Sequence, residues 1–384
     1  MQNNKGKAVK VLQIAGGFRK NVNGKPVSGG ITAFLNNYYM KMDHEKFQFD
    51  FLALRNQAFE NYRQGFEAKG STLYALDIQS DGFKRFFTTI YKLRKFLKEN
   101  HYDAVHINMG AFFPVLTCAI AAKLAGVKNI IAHSHSSGIN SKKKRLMIDL
   151  FSPLLTLFAD QYCACSLVAA ENIYSRGIIN KKKYKIIRNA IDVKTFSFHP
   201  KEREHLRREL GLEGHFVIGH VGRFVSVKNH EFLIDFFYEF SKKDQNARLL
   251  LVGSGELKTA MEEKVQKLGI QDKVIFVGQQ RDVSRYYQGM DLFVMPSYIE
   301  GFPIVAMEAQ STGLPSYVSS NVTEEAAVTD LCKFFHLKNG PKDLAERVFE
   351  DKDSWKPRSD ASDQIIKAGY DIDSNLKTFE SLYT

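Results

Sequence analysis

The chain has 384 residues, 44% of them hydrophobic and 25% charged, with 9 Pro, 26 Gly and 4 Cys. This ordinary globular composition excludes a disordered, collagen-like or coiled-coil chain, and so few Cys over this length make no disulfide scaffold. The net charge of +12 is uneven: residues 1–195 carry 30 Lys and Arg against 13 Asp and Glu, and residues 196–384 carry 24 against 29.

The opening MQNNKGKAVKVLQIAGG places its first apolar run where a first β-strand belongs, and that run is too short for a secretory signal. Further strands are predicted at Phe47–Leu52, Thr72–Ala75, Ala104–Ile107, Asn129–His133 and Gln161–Ser166, after a first at Lys10–Ile14. In LMIDLFSPLLTLFAD the apolar run is broken by Asp149, Pro153 and Asp160. No stretch reaches the ~18–20 apolar residues of a membrane-spanning helix. These features predict a cytoplasmic protein. Cys163 and Cys165, alternate residues on one expected strand, are predicted to point the same way. They read as small buried residues, because no partners stand at metal-binding spacing.

The second half repeats the pattern, with strands at Val217–Val221, Arg248–Val252, Val274–Val277, Leu292–Met295 and Pro315–Val318. Runs such as LLLV, VIFV and LFVM suit parallel strands buried on both faces. Strand–helix alternation twice over predicts two doubly wound α/β domains, residues 1–195 and 196–367. The segment from about 368 to 384 reads as a short amphipathic helix that packs back on the first domain. Ligands of such sheets bind outside the carboxyl ends of the strands, so the cleft between the domains is the expected site.

Two motifs carry chemistry. Tyr298–Glu308, YIEGFPIVAME, follows a buried strand; Gly301 permits a tight turn and Pro303 suits a first helical position. The helix start offers free N–H groups to an anion, with Glu300 and Glu308 on either side. A plainer account is a dipole-compensating acid and a surface Glu. The second motif, GHVGRFVSVKN, puts Arg223 and Lys228 on a strand-end loop, where two cations can clamp a diphosphate or simply be solvated.

Taken together, these residues resemble glycosyltransferase family 4, the retaining GT-B sugar-nucleotide enzymes, and most closely bacterial exopolysaccharide and capsule enzymes. Glu300 and Glu308 with GFP between them, GRFVSVKN, LLLVGSGEL, VIFVG, MDLFVMPS, DAVHINMG, IIAHSHSSG and IIRNAIDVKTF carry the resemblance, in the right order over nearly the whole chain. It implies two Rossmann-like domains facing across a cleft. It implies that Arg223 and Lys228 neutralise the donor diphosphate, helped by backbone amides around Phe302, Pro303, Ile304 and Val305. Glu300 would contact the donor sugar, Glu308 the ribose, and the base would lie near Gly278 and the loop to Val283. Gly16 and Gly17 would approach the donor phosphate. His135 matches the active-site histidine, with His133 as the rival and a plain polar cap as the simpler account. Gly29, Gly30, His106 and Asn108 would lie on the acceptor side with His133.

No metal or other cofactor is implied; the expected substrates are a UDP-sugar and a lipid-linked saccharide. The family commonly has Gly where Ala190 stands; Ala is strained there only if the position needs a positive φ, and it reads as a tolerated change. The helix FKRFFTTIYKLRKFLK predicts either a core-facing helix with a basic outer face or an interfacial helix on anionic lipid, with Lys142–Arg145 and Lys181–Lys183 as added basic loops. The lipid reading places the protein at the inner face of the cell membrane. Two alternatives fit less well: a sugar-nucleotide 2-epimerase of the same fold, against which the Glu/GFP/Glu element argues, and a non-catalytic anionic-surface or nucleic-acid binder resting on the basic half alone.

Overall fold

All eleven predicted strands are present in the computed structural model, which describes residues 7–15, 30–55, 58–135, 142–300 and 302–384. Gly16, Gly17, Gly29 and Gly301 lie outside the described residues. The chain divides into two units, Met1–Ala190 with Ile372–Thr384, and Ile191–Asp371. The sequence reading had set the division at 195/196 and the return at about 368.

The sheet of unit 1 contains β1 (Val9–Ala15), β2 (Phe47–Ala53), β3 (Leu73–Ala75), β4 (Ala104–Met109), β5 (Asn129–Ser134), β6 (Gln161–Ala164) and β7 (Lys185–Ile186). Their order is β3-β2-β1-β4-β5-β6-β7, and every pairing is parallel. Strand parity decides what each face meets. Leu12, Ile14, Val105 and Ile107 pack with helix Phe112–Ala125 on one side. Val11, Ala15 and Ile131 pack on the other with helix Gly30–Lys41, where Gly30 is the exposed first residue, and with helix Ile372–Glu380.

Two expectations need correction. Strand β6 ends at Ala164, so Cys163 and Cys165 do not share a face: they pack in the two opposite cores. Lys142–Arg145 is not a loop but the start of helix Lys142–Phe151. No positive φ occurs at Ala190, which agrees with the Ala there being a tolerated change.

Helix Gly82–Asn100 matches neither expectation along its whole length. Leu93 and Leu97 are buried, but Phe83 and Tyr91 are 80% and 70% exposed. Phe83, Phe87 and Tyr91, four residues apart, form an exposed apolar ridge. This helix packs on helix Phe112–Ala125, which in turn contacts the turn Ser152–Leu157. Beside that turn Leu146, Leu150, Leu154 and Leu157 are also exposed. Among the described residues no helix is long and apolar enough to cross a membrane.

Unit 2 has β8 (Phe216–Val221), β9 (Ala247–Val252), β10 (Val274–Gly278), β11 (Leu292–Met295), β12 (Ser316–Ser319) and β13 (Cys332–Phe335), in the order β10-β9-β8-β11-β12-β13, again all parallel. Helix His230–Lys243 buries Leu233, Phe236, Phe237 and Phe240 against one face. In both units the strand order reverses beside the first strand, at β1/β4 and at β8/β11. Crevices at the carboxyl ends of such pairs are where open α/β sheets bind ligands.

Candidate active site

The predicted residues fall into two groups, one at the carboxyl end of each sheet. In unit 2 the chain leaves β8 through Gly222 and Arg223 and turns at Ser226–Lys228 into helix His230–Lys243, capped by the Asn229 side chain. The loop after β9 closes on this exit. Gly222 N–H donates to Val252 O at 3.0 Å and Phe224 N–H to Ser254 O at 3.0 Å. A Cβ on Gly253, at φ +147°, would stand 2.0 Å from Gly222 O, so only glycine permits the approach. Arg223 lies at the rim of this crossing, partly exposed.

Lys228 forms an ion pair with Glu300, both side chains being largely buried. Ser297 Oγ donates to the same carboxylate oxygen at 3.2 Å. Tyr298 N–H donates to Val227 O at 2.9 Å and ties the exit of β11 to that of β8. The pair therefore stands at the reversal of strand order. The next helix runs Ile304–Ser311 with Pro303 as its N-cap, one residue earlier than the first helical position expected for proline. Ile304 N–H already bonds Phe302 O at 3.1 Å and Ala306 N–H bonds Pro303 O at 2.9 Å, so neither amide of this first turn is a free donor. Phe302 stacks on Tyr370 with ring centres 5.0 Å apart.

Glu308 is not the surface acid of the plainer account. It is buried, accepts a hydrogen bond from Tyr287 OH at 2.7 Å, and burial pushes its pKa up to about 7 even though that bond favours the ionised form. Gly278, at φ +82°, ends β10, and Val283 caps the short helix that follows. Sequence reasoning missed His220 and His230, buried behind Lys228. His220 Nδ1 donates to Val294 O at 2.8 Å, and burial depresses the two rings to about 3 and about 2.

In unit 1 the polar positions of β4 and β5 share the face that carries the C-terminal helix. His106 Nε2 and His133 Nδ1 are 3.0 Å apart, and His106 Nδ1 lies 2.7 Å from Tyr383 OH. Asn108 Oδ1 lies 3.1 Å from His135 Nε2, and Asn108 Nδ2 donates to Gln13 Oε1 at 3.0 Å. Gln13 Nε2 donates to Tyr383 OH at 2.9 Å. His133 is fully buried, whereas His135, just past β5, is partly exposed. Burial holds His106 and His133 well below the usual imidazole range and His135 at about 3, so all three are neutral near pH 7. Among the described residues no group of three or more His, Cys, Asp or Glu converges as a metal site.

The family described as "Glycosyltransferase Family 4" matches residues 29–195, and "Glycosyl transferases group 1" matches 202–368. The putative glycosyltransferase EpsF of Bacillus subtilis (strain 168) is 30% identical over 363 residues, 92% of this chain and 93% of its own. The chain belongs to glycosyltransferase family 4. Another relative of this glycosyltransferase is the UDP-Gal:alpha-D-GlcNAc-diphosphoundecaprenol alpha-1,3-galactosyltransferase of Escherichia coli, 27% identical over 241 residues, 60% of this chain and 61% of that protein. The crystal structure of Anabaena HepE in complex with UDP and glucose superposes with a TM-score of 0.71 at 19% identity, covering 97% of this chain and 98% of that one. Its likeness shows that this glycosyltransferase has the GT-B fold of two Rossmann-like domains.

Proposed function

We propose that this glycosyltransferase moves a sugar, with retention, from a UDP-sugar to a lipid-linked saccharide during synthesis of a bacterial surface polysaccharide. The observation that carries the donor half is the Lys228–Glu300 pair at the reversal of strand order, with Glu308 buried on the helix that starts beside it. The E. coli relative, named for a UDP-sugar and a diphosphoundecaprenol-linked acceptor, supports both substrate classes.

In this reading Arg223 and Lys228 hold the diphosphate, with Val305 N–H in the first turn of helix Ile304–Ser311 adding a donor. Glu300, already beside Lys228, meets sugar hydroxyls, and Glu308 accepts from the ribose. As the bond to the anomeric carbon breaks, negative charge grows on the leaving phosphate. Fixed cations then act more strongly than in the ground state, so the chain's own residues supply the charge neutralisation and no metal is assigned a role. No covalent nucleophile is assigned either: the acceptor oxygen attacks from the face the diphosphate leaves, and a departing phosphate oxygen takes its proton. Neutral His135 hydrogen-bonds a substrate hydroxyl and is no acid. The exposed ridge of helix Gly82–Asn100 in the basic half supports an acceptor held at an anionic membrane surface.

The deciding experiment is nucleotide release from a panel of UDP-, GDP- and ADP-sugars with and without a diphosphopolyprenol-linked saccharide, followed by NMR of the product's anomeric centre. Acceptor-dependent release with the donor's anomeric configuration kept is the expected result. Release from GDP- or ADP-sugars only, or an inverted product, overturns the reading.

A further inference from the structure

The polar residues on the inner face of unit 1 form a hydrogen-bond chain whose direction can be derived. An amide and an imidazole each have two orientations or tautomers, and only a partner of fixed character chooses between them. The backbone carbonyl of His106 is such a partner, because it can only accept. Asn108 Nδ2 lies 3.2 Å from it, so that atom is the amide nitrogen and Oδ1 turns toward His135. An oxygen cannot donate, so His135 Nε2 carries the proton. Asn108 Nδ2 also donates to Gln13 Oε1, which leaves Gln13 Nε2 to donate to Tyr383 OH. The hydroxyl then gives its own proton to His106 Nδ1, and His106 Nε2–H donates to His133 Nδ1. The carbonyl fixes Asn108, His135 and Gln13, and the links beyond the hydroxyl follow when it gives its one proton to His106, which leaves His133 Nε2 without a partner among the described residues.

We propose that Asn108, oriented by the His106 carbonyl and backed by Gln13 and Tyr383, is a positioning residue that fixes His135 as its Nε2–H tautomer, leaving Nδ1 to accept a hydrogen bond from a substrate hydroxyl. No described residue bonds Nδ1, and His135 is the one residue of the three that is partly exposed. Phe34 packs edge-on to His133 and His135, with centres 5.2 and 4.8 Å away, and holds both rings against the sheet. Tyr383 reaches the network from Ile372–Thr384, the segment that returns to unit 1. This segment therefore supplies the far end of the network as well as covering the core. The inference rests on the proposed role of His135 toward substrate.

The test uses the full-length protein with ring-¹⁵N histidine, the His135 signals being those lost in His135→Gln. The expected wild-type spectrum shows a protonated Nε2 and a bare Nδ1 at position 135. Asn108→Leu should give averaged tautomers and lose about 10–100-fold in kcat, with UDP affinity unchanged. Asn108→Ala, which removes the same acceptor with less bulk, should shift the same signals with a similar loss of kcat, and it decides the question if Asn108→Leu does not fold. A wild-type Nδ1–H signal, or an unaltered His135 spectrum in both variants, overturns the inference. Failure of the underlying reading looks different: His135→Gln would then transfer sugar as fast as wild type, whatever the spectra show.

Discussion

Lys228 and Glu300 neutralise each other before any donor arrives. A diphosphate bound as proposed would therefore share Lys228 with a carboxylate, and the two partners should respond to substitution in opposite ways. Lys228→Ala and Arg223→Ala should each lose at least ~10²-fold in kcat with a smaller loss of UDP affinity, since leaving-group charge is largest in the transition state. Glu300→Gln should lose turnover but bind UDP more tightly, because the cation is released from its carboxylate. Steady-state kinetics beside calorimetry reads both; near-normal turnover in the cation variants would sink the leaving-group role. Glu308 sets a second expectation. Its folded pKa of about 7 lies above the ordinary 4.5, so near neutral pH the free protein holds a proton there in part of the population. Ribose hydroxyls donate best to the ionised form, so UDP affinity should fall as pH drops below about 7, with proton release on binding. Glu308→Gln should abolish the part of that release which the wild type shows over free UDP. For folding the sign is reversed: this carboxyl favours the native state at acid pH, and that contribution is lost as pH rises through about 7.

At the scale of elements, the strands written as apolar runs were legible, and two short edge strands were not. Strand β7 is only Lys185–Ile186 within a lysine-rich turn, and β13, CKFF, follows a polar loop without a long apolar run. Edge strands need to bury less, so they write a weaker pattern. The site was legible wherever a polar residue ends a strand, as at Arg223 and His135. It was hidden where the partner is remote. Gln13 inside VLQIA is a signal in hindsight, because a polar side chain within a doubly covered strand requires a buried partner, but no local pattern names Tyr383 as that partner. Helix Gly82–Asn100 misled because its apolar stripe continues past the point where the core ends. Its two halves predict separable effects on vesicles. Lys84→Glu with Lys95→Glu should remove the salt-sensitive part of binding to anionic vesicles, and Phe83→Ser with Phe87→Ser the part that persists at high salt. Co-sedimentation across a salt series measures both, and equal binding of wild type to neutral and anionic vesicles would count against the electrostatic part.

At the scale of the molecule, unit 2 is inserted into unit 1. The two passages of the chain lie side by side: Ile191 pairs with Asp371 in a parallel bridge, and Ile191 N–H donates to Tyr370 O at 2.9 Å. The returning segment buries Ile372, Phe379, Leu382 and Tyr383. It also accepts bonds from Asn129 and Gln161 at Leu382 O, 2.7 and 2.8 Å long. Burying each such side chain is worth about 1.5–3 kcal/mol, so their sum rivals the ~5–15 kcal/mol that holds a domain folded. Truncation after Asp371 should therefore unfold unit 1 while leaving unit 2 protected. Hydrogen exchange followed by mass spectrometry would show this as loss of protection throughout β1–β7 with β8–β13 unchanged; a fully protected unit 1 would contradict it.

The same insertion puts a clock on synthesis. The seven strands of the first sheet leave the ribosome early, but the segment that covers one face of that sheet follows only after the whole of unit 2. At ~5–20 residues per second, the apolar face of β1, β4 and β5 waits about ten to forty seconds in the cell without its cover. Phe34, Tyr38 and Phe49, which pack against Phe379 in the finished protein, are then open to chaperones or to another nascent chain. Fast translation, or an early-folding second unit that brings the returning segment home, shortens this exposure; a pause within unit 2 lengthens it and raises the yield of aggregate.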